Sequence, residues 1–216
     1  MKVSKLLILL YASAALLFSG CMKEPATTED ERSYIPFSVD VNVGRTYDLD
    51  SKQAWSSSDE FVATVSSTGT ITGNHVGKCR VSCAVGGCDV YVHANINLFR
   101  DPITEWGLSK PEVIAKEGSD YSQTSNGDIS YATGNEIAPN VGYMFQGGVG
   151  LKAVLIPIRT GYQEQVVQHM KDRYRYVGED GGVYYFADGT SSSNAKTAVT
   201  LKYYNSNYWQ LLYFPY

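Results

Sequence analysis

The chain carries little that would mark an enzyme. No Gly-x-Ser-x-Gly run occurs in its 216 residues, so the strained nucleophile elbow of that hydrolase class is missing. Neither a His-Glu-x-x-His helix nor a glycine-rich loop ending in Lys-Ser or Lys-Thr is present, which removes the simplest zinc and phosphate chemistries. Gly147-Gly-Val-Gly150 is glycine-rich, but it joins two strand-like segments and precedes no helix, so it reads as a β-turn. A glycosidase needs two carboxylates facing each other across a cleft. Asp101, Glu105, Asp120 and Asp128 are available, and their spacing singles out no pair. No catalytic, cofactor-binding or metal-ligating set is assigned. Positive charge is also scarce: 18 Lys and Arg stand against 22 Asp and Glu, a formal net charge of −4, with no basic stripe. That composition argues against nucleic acid as a partner.

Long apolar runs are confined to Leu6–Phe18, behind Lys2 and Lys5. The run is shorter than the roughly 20 residues that span a bilayer, so it reads as the core of a signal peptide over residues 1–20. Phe18-Ser19-Gly20-Cys21 resembles a bacterial lipobox, with Phe18 where leucine is usual. The resemblance implies cleavage before Cys21 and acylation of that residue, palmitate being one such chain. Each buried CH₂ would add about 0.8 kcal/mol of membrane affinity without any transmembrane span. No Asp follows Cys21 directly, which resembles the sorting pattern of outer-membrane lipoproteins, and Lys23-Glu24 is similar to a surface-export signal. The expected location is therefore the outer membrane of a Gram-negative bacterium, lipid-anchored and surface-exposed. Residues 21–33 are polar and charged and read as a tether. Loss of Lys2 and Lys5 with the signal takes the charge from −4 to −6.

Cysteine is sparse beyond Cys21. Cys79, Cys83 and Cys88 form an odd set, so at least one thiol stays unpaired. Cys79 and Cys83 alternate with Val81 and Val85 on one strand face, which favours buried small apolar side chains. One disulfide, or a zinc completed by His75 or His93, remain alternatives. What is abundant is the aromatic and β-forming complement, including 17 Tyr. Phe37, Val39, Val41 and Val43 alternate with polar residues as a half-buried strand, and Thr46–Leu49 is a second. Phe61–Val65 and Thr70–Thr72 follow across Ser/Thr/Gly turns. Lys78–Val85 and Cys88–Val92 are expected to pair across Gly86-Gly87. Trp55 is the expected large core aromatic. Trp55-Ser-Ser-Ser-Asp59-Glu60-x-Val62-Ala63-x-Val65, then Gly69-x-Ile71-x-Gly73 and Val76-Gly77, resembles the signature of group 2 bacterial immunoglobulin-like domains. The resemblance implies an all-β immunoglobulin-like sandwich over residues 34–96, of the kind displayed on adhesins and surface proteins. Asp59-Glu60 reads as a solvated turn.

Residues 97–216 are expected to form a second domain, of α+β class. Asn97–Trp106 reads as a linker. Ser109 and Glu112 have capping-box spacing, Pro111 lies in the first turn, and Leu108 and Val113 sit at the staple positions. Thr160 and Gln163 announce a second helix, whose Tyr162, Val166, Met170 and Tyr174 share one face. His169 falls off that face and is expected to meet solvent. Three strand-like segments follow each helix: Asp128–Thr133, Gly142–Gln146 and Leu151–Ile158, then Val183–Ala187, Thr197–Tyr204 and Tyr208–Tyr213. The expected architecture is α+β, αβββ-αβββ, an antiparallel sheet with two helices on one face. In element order it resembles the β-lactamase-inhibitor-protein and outer-membrane assembly lipoprotein group, and Trp106-Gly107-x-Ser109-x-x-Glu112-Val113 is similar to a segment of surface lipoproteins.

The aromatic-rich hairpin Tyr203–Tyr216 is the candidate recognition element, with Trp209, Tyr213, Tyr208 and Tyr204 as candidate binding residues. By alternation Trp209, Leu211 and Tyr213 share one side, and Tyr208, Leu212 and Phe214 the other. One side must pack on the helices. The expected function is non-enzymatic binding or adhesion to a glycan or protein, with the immunoglobulin-like domain as spacer. An envelope-assembly or inhibitor-like role, and an accessory carbohydrate-active enzyme, are the alternatives. Replacing Cys21 with Ser is expected to move the protein from the membrane pellet to the soluble fraction; continued pelleting of the variant would contradict the anchor.

Overall fold

Alternation of apolar and polar residues builds the N-terminal module. The computed structural model describes residues 35–49 and 53–216; the expected signal peptide and tether, with Cys21, lie outside the described residues. Seven strands follow in order: β1 Ser38–Asn42, β2 Thr46–Asp48, β3 Ser56–Ser57, β4 Ala63–Val65, β5 Thr70–Gly73, β6 Gly77–Cys83 and β7 Gly86–His93. They form one sheet in the order β1-β7-β6-β3 and another in the order β2-β5-β4. β1 runs parallel to β7, and the remaining pairs are antiparallel. Val39, Val41, Ile71, Val81, Val90 and Val92 fill the space between the sheets. Phe37, expected on the inward row of β1, precedes the strand and is 86% exposed. Trp55 packs half-buried at the margin of this core, whereas Ile71 occupies its centre.

The β6–β7 hairpin differs from its expected register. Cys83 pairs with Gly86, so the turn is Ala84-Val85, and Gly86-Gly87 lies within β7. Both registers point the same residues inward, because they differ by an even slip and only an odd slip exchanges faces. The face pattern therefore could not choose between them. Close packing does: a Cβ at Gly87 would come within 2.5 Å of the Val81 carbonyl oxygen. The three cysteines are free thiols, and burial raises the Cys79 and Cys88 pKa values. His75 stacks on Phe61 at 4.1 Å and His93 bonds to Asp40 at 2.6 Å, so both histidines are engaged away from them. Asp59 caps a turn, accepting the Phe61 amide at 3.0 Å.

Beyond the immunoglobulin-like module the first element is α1 Lys110–Glu117. Glu112 accepts from the Ser109 amide (2.8 Å) and hydroxyl (2.7 Å) in the expected capping box, and Val113 is fully buried. The strands β8 Ser122–Gln123, β9 Ile129–Ala132, β10 Asn140–Gln146 and β11 Gly150–Arg159 follow. Then come α2 Gln163–Lys171, β12 Arg175–Asp180, β13 Val183–Ala187, β14 Thr197–Asn205 and β15 Tyr208–Pro215. All eight strands join one sheet in the order β12-β13-β14-β15-β11-β10-β9-β8, antiparallel throughout. Each helix is thus followed by four strands, not three. β8 is two residues long and β12 runs along an edge without a buried row, so neither shows the alternation that reveals a strand.

Val113 of α1 and Val166 and Met170 of α2 share one core with Tyr143, Ile156, Leu211 and Tyr213 of the sheet. α2 starts without the expected capping box: Thr160 donates to the Ser206 carbonyl and the Gln163 amide to the Tyr184 hydroxyl. The expected linker is built into the core of this sheet. Phe99 is buried, Leu98, Ile103 and Trp106 pack on the core, and the Trp106 indole donates to Thr197 at 3.1 Å.

The start of β11 is pinned to the approach to α1. The Gly107 amide donates to Leu151 O at 3.0 Å and the Leu151 amide to Leu108 O at 2.7 Å. Gly150, at φ +79°, allows that approach; a Cβ there would stand 2.2 Å from the Gly107 oxygen. Gly150→Ala is expected to cost about 1–3 kcal/mol in urea unfolding. Gly147→Ala, whose Cβ meets nothing within 4 Å, is expected to be near neutral.

Candidate functional site

The terminal hairpin sorts its aromatics by side. In the β14–β15 register Val199 faces Tyr213, Leu201 faces Leu211 and Tyr203 faces Trp209, and this row turns toward the helices. Tyr213 is fully buried, with Tyr174 edge-on at 6.0 Å and its hydroxyl 3.7 Å from the Met170 sulfur. Burial pushes its phenol pKa well above the ordinary value. It is a core residue, and its place among the candidate binding residues is corrected accordingly. Trp209 is half-buried on the same side, between Tyr184 at 6.3 Å and Tyr203 at 5.8 Å. Tyr204 is 61% exposed, and Tyr208 stands half-buried at the hairpin tip, where Asn205 Oδ1 accepts its amide. The four residues are not brought together on one surface.

The opposite side of the sheet carries the other alternation row. Leu155 faces Leu212, which faces Thr200; Phe214 faces Ala198; Thr200 faces Tyr185. Leu155, Leu212 and Phe214 are only partly buried and join neither core cluster. Val177 (54% exposed), Tyr185 (38%) and Tyr216 (60%) border a groove of about 390 Å³ over Ala198 and Phe214. Contiguous exposed apolar area of this kind marks interaction surfaces.

A polar network at the end of α2 gave no pattern in the sequence. His169, expected to meet solvent, is fully buried. The segment before α1 covers the flank of α2 that an isolated amphipathic helix would expose: the Leu98 amide donates to His169 Nδ1 at 3.3 Å, and Phe99 packs 4.2 Å from the ring. With Nδ1 accepting, the proton belongs on Nε2, which has no hydrogen-bond partner among the described residues and faces Asp101 Oδ1 at 4.0 Å. Burial, reinforced by the charge of Arg173, lowers the His169 pKa to about 3. Arg173 donates to Asp101 (2.6 Å), to the Ile96 and His169 carbonyls and to Asn97. Asp172 Oδ2 accepts the Asn95 amide (2.6 Å) and the Ile96 amide (3.1 Å), and its carbonyl accepts the Val76 amide at 2.8 Å.

Beside this network, between residues 99–102, the end of α1 and the β9–β10 loop, lies a cavity of about 420 Å³. Glu117 on its wall is almost wholly buried, ion-paired with Arg100 and bonded by the Tyr143 hydroxyl. Burial, then that bond, raises the Tyr143 pKa. Asp101 and Glu117 are the two carboxylates of the cavity, and each is held by an arginine. Glu117 has both oxygens engaged, whereas Asp101 is bonded to Arg173 through Oδ1 alone. Among the described residues no group of three or more His, Cys, Asp or Glu could hold a metal ion.

Residues 36–88 match the family of the bacterial Ig-like domain (group 2). The match covers β1–β6 and the start of β7, so the N-terminal module is an immunoglobulin-like domain of the kind common in surface and adhesion-type proteins. A comparison with curated proteins gave no match to the chain.

Between pH 6.5 and about 3 the unfolded chain takes up a proton at His169 that the folded chain refuses. Its contribution is therefore complete above pH 6.5 and is lost as pH falls through that window, at up to about 1.4 kcal/mol per pH unit. His169→Gln is expected to flatten the acid side of the stability profile in urea melts at pH 7 and pH 4.5. Equal slopes in the two proteins would contradict the buried neutral imidazole.

Proposed function

We propose that the protein is a lipid-anchored, non-enzymatic recognition protein of the outer cell envelope, and that its partner is another protein. The observation that carries this reading is the face of the eight-stranded sheet that no helix among the described residues covers, with its groove between Val177, Tyr185, Phe214 and Tyr216. A face that is apolar at its centre and aromatic at its border matches the make-up of protein interfaces, where Tyr and Phe are enriched and charge is depleted from the core.

The immunoglobulin-like domain acts in this reading as a spacer following the tether. It is a stiff spacer, because Asp172 and Arg173 bind the chain at residues 95–97 and so fasten the first domain to α2. The short acidic pair Asp59-Glu60 has structural work in a turn, which leaves recognition to residues beyond 97.

Site-specific photo-crosslinking on intact cells tests this. A crosslinker at Tyr185 is expected to give a discrete adduct that Leu212→Glu removes. The same crosslinker at Tyr47, which is exposed to a similar extent on the N-terminal module, is expected to give none. Indistinguishable adduct patterns at the two positions would discard the sheet-face reading.

A further inference from the structure

The cavity beside α1 lies on the helix side of the sheet, away from the uncovered face, and its chemistry is of a different kind. Tyr131, Val141, Ile156 and Phe99 supply an apolar and aromatic wall, while Arg100, Asp101 and Asn140 stand among its polar residues. At about 420 Å³ it falls within the roughly 300–1,000 Å³ of small-ligand pockets. We infer that this cavity binds a neutral saccharide of one or two rings.

Three observations select that class. The first is unused hydrogen-bonding capacity. A guanidinium has five N–H donors, and Arg100 spends one of its two terminal nitrogens on Glu117 while 71% of its side chain stays exposed. Asp101 is bonded through Oδ1 to Arg173, and its Oδ2 has no hydrogen-bond partner among the described residues. A strong donor and a strong acceptor thus remain available, and sugar hydroxyls answer both because each donates and accepts.

The second observation is charge balance. Arg100 is paired with Glu117 and Arg173 with Asp101, so the site holds no surplus of either sign. A phosphate or carboxylate ligand would lack a free counter-charge, and a zwitterion would have to break ion pairs that are already made. A hydroxyl bonds to a paired charge without displacing its partner. The third observation is the wall: Tyr131 is held by its hydroxyl bond to the Gly118 carbonyl, and the Tyr143 ring stands edge-on to it at 6.0 Å. That leaves a fixed apolar edge, Tyr131 being 7% exposed, against which the C–H groups of a pyranose can rest. Glu117 and Tyr143 are positioning residues, since they hold Arg100 in place.

The test is saturation-transfer NMR and calorimetry on the full chain in a non-glycosidic detergent. The ligands are galactose, mannose, N-acetylglucosamine, lactose and cellobiose, with leucine and inorganic phosphate alongside. At least one saccharide is expected to bind saturably, and leucine and phosphate are not. Thr133→Trp, which fills the cavity from an exposed position on the same side of the strand as Tyr131, is expected to weaken binding more than about tenfold. Arg100→Lys, which keeps a charge for Glu117 but gives up the free guanidinium donors, is expected to weaken it about fivefold by loss of a hydrogen bond. Leu212→Glu on the other side of the sheet should leave saccharide binding intact, which separates this site from the protein-binding face. No saccharide binding up to roughly 10 mM, binding of phosphate or leucine in its place, or full affinity in both cavity variants would overturn the assignment.

Discussion

Asp172 and Arg173, adjacent residues at the end of α2, organise the chain on which both candidate surfaces depend. Asp172 gathers the amides of Asn95 and Ile96, and Arg173 reaches Ile96, Asn97 and Asp101. Both are buried, and a buried charge is tolerated only when its partners are in place. The pair therefore dictates the path of residues 95–101. That path closes Phe99 over His169, lines the cavity with Arg100 and Asp101, and fastens the immunoglobulin-like domain to its neighbour. Without it the cavity would lack one wall.

Coverage of the eight-stranded sheet on one side is the second organising fact. The row from Tyr143 through Ile156 to Leu211 and Tyr213 takes both helices. The row from Leu155 through Leu212 to Phe214 takes neither. The molecule thus has an apolar outer face suited to a broad partner and, on the other side, a polar enclosure suited to a small one. These differ in physical kind: a protein interface draws on buried apolar area, whereas a cavity lined by paired charges draws on directed hydrogen bonds.

Much of the local structure was legible because its causes are local. The first turn of α1 follows from Ser109, Pro111, Glu112 and Val113. Strands β9–β11 and β13–β15 follow from period-two alternation, and the immunoglobulin-like domain from a signature whose spacing encodes its turns. β8 and β12 escaped because edge strands need not alternate, and Gly86-Gly87 misled because an even register slip preserves every inward residue. Of the candidate binding residues, alternation correctly divided Trp209 and Tyr213 from Tyr208. It carried no information on which side the helices would cover.

The sequence by itself determined the periodicities, the helix start at Ser109 and the paired rows of the terminal hairpin, since these depend on residues within a turn or two of one another. Only the tertiary structure decided that Tyr213 is core, that His169 is buried and neutral, and that Arg100, Asp101 and Glu117 meet at one cavity. Those outcomes depend on segments far apart in the chain, the 95–101 stretch against α2 and the end of α1 against β10. A period-two pattern is unchanged when a sheet is turned over, so the choice of face belongs to whatever packs against it.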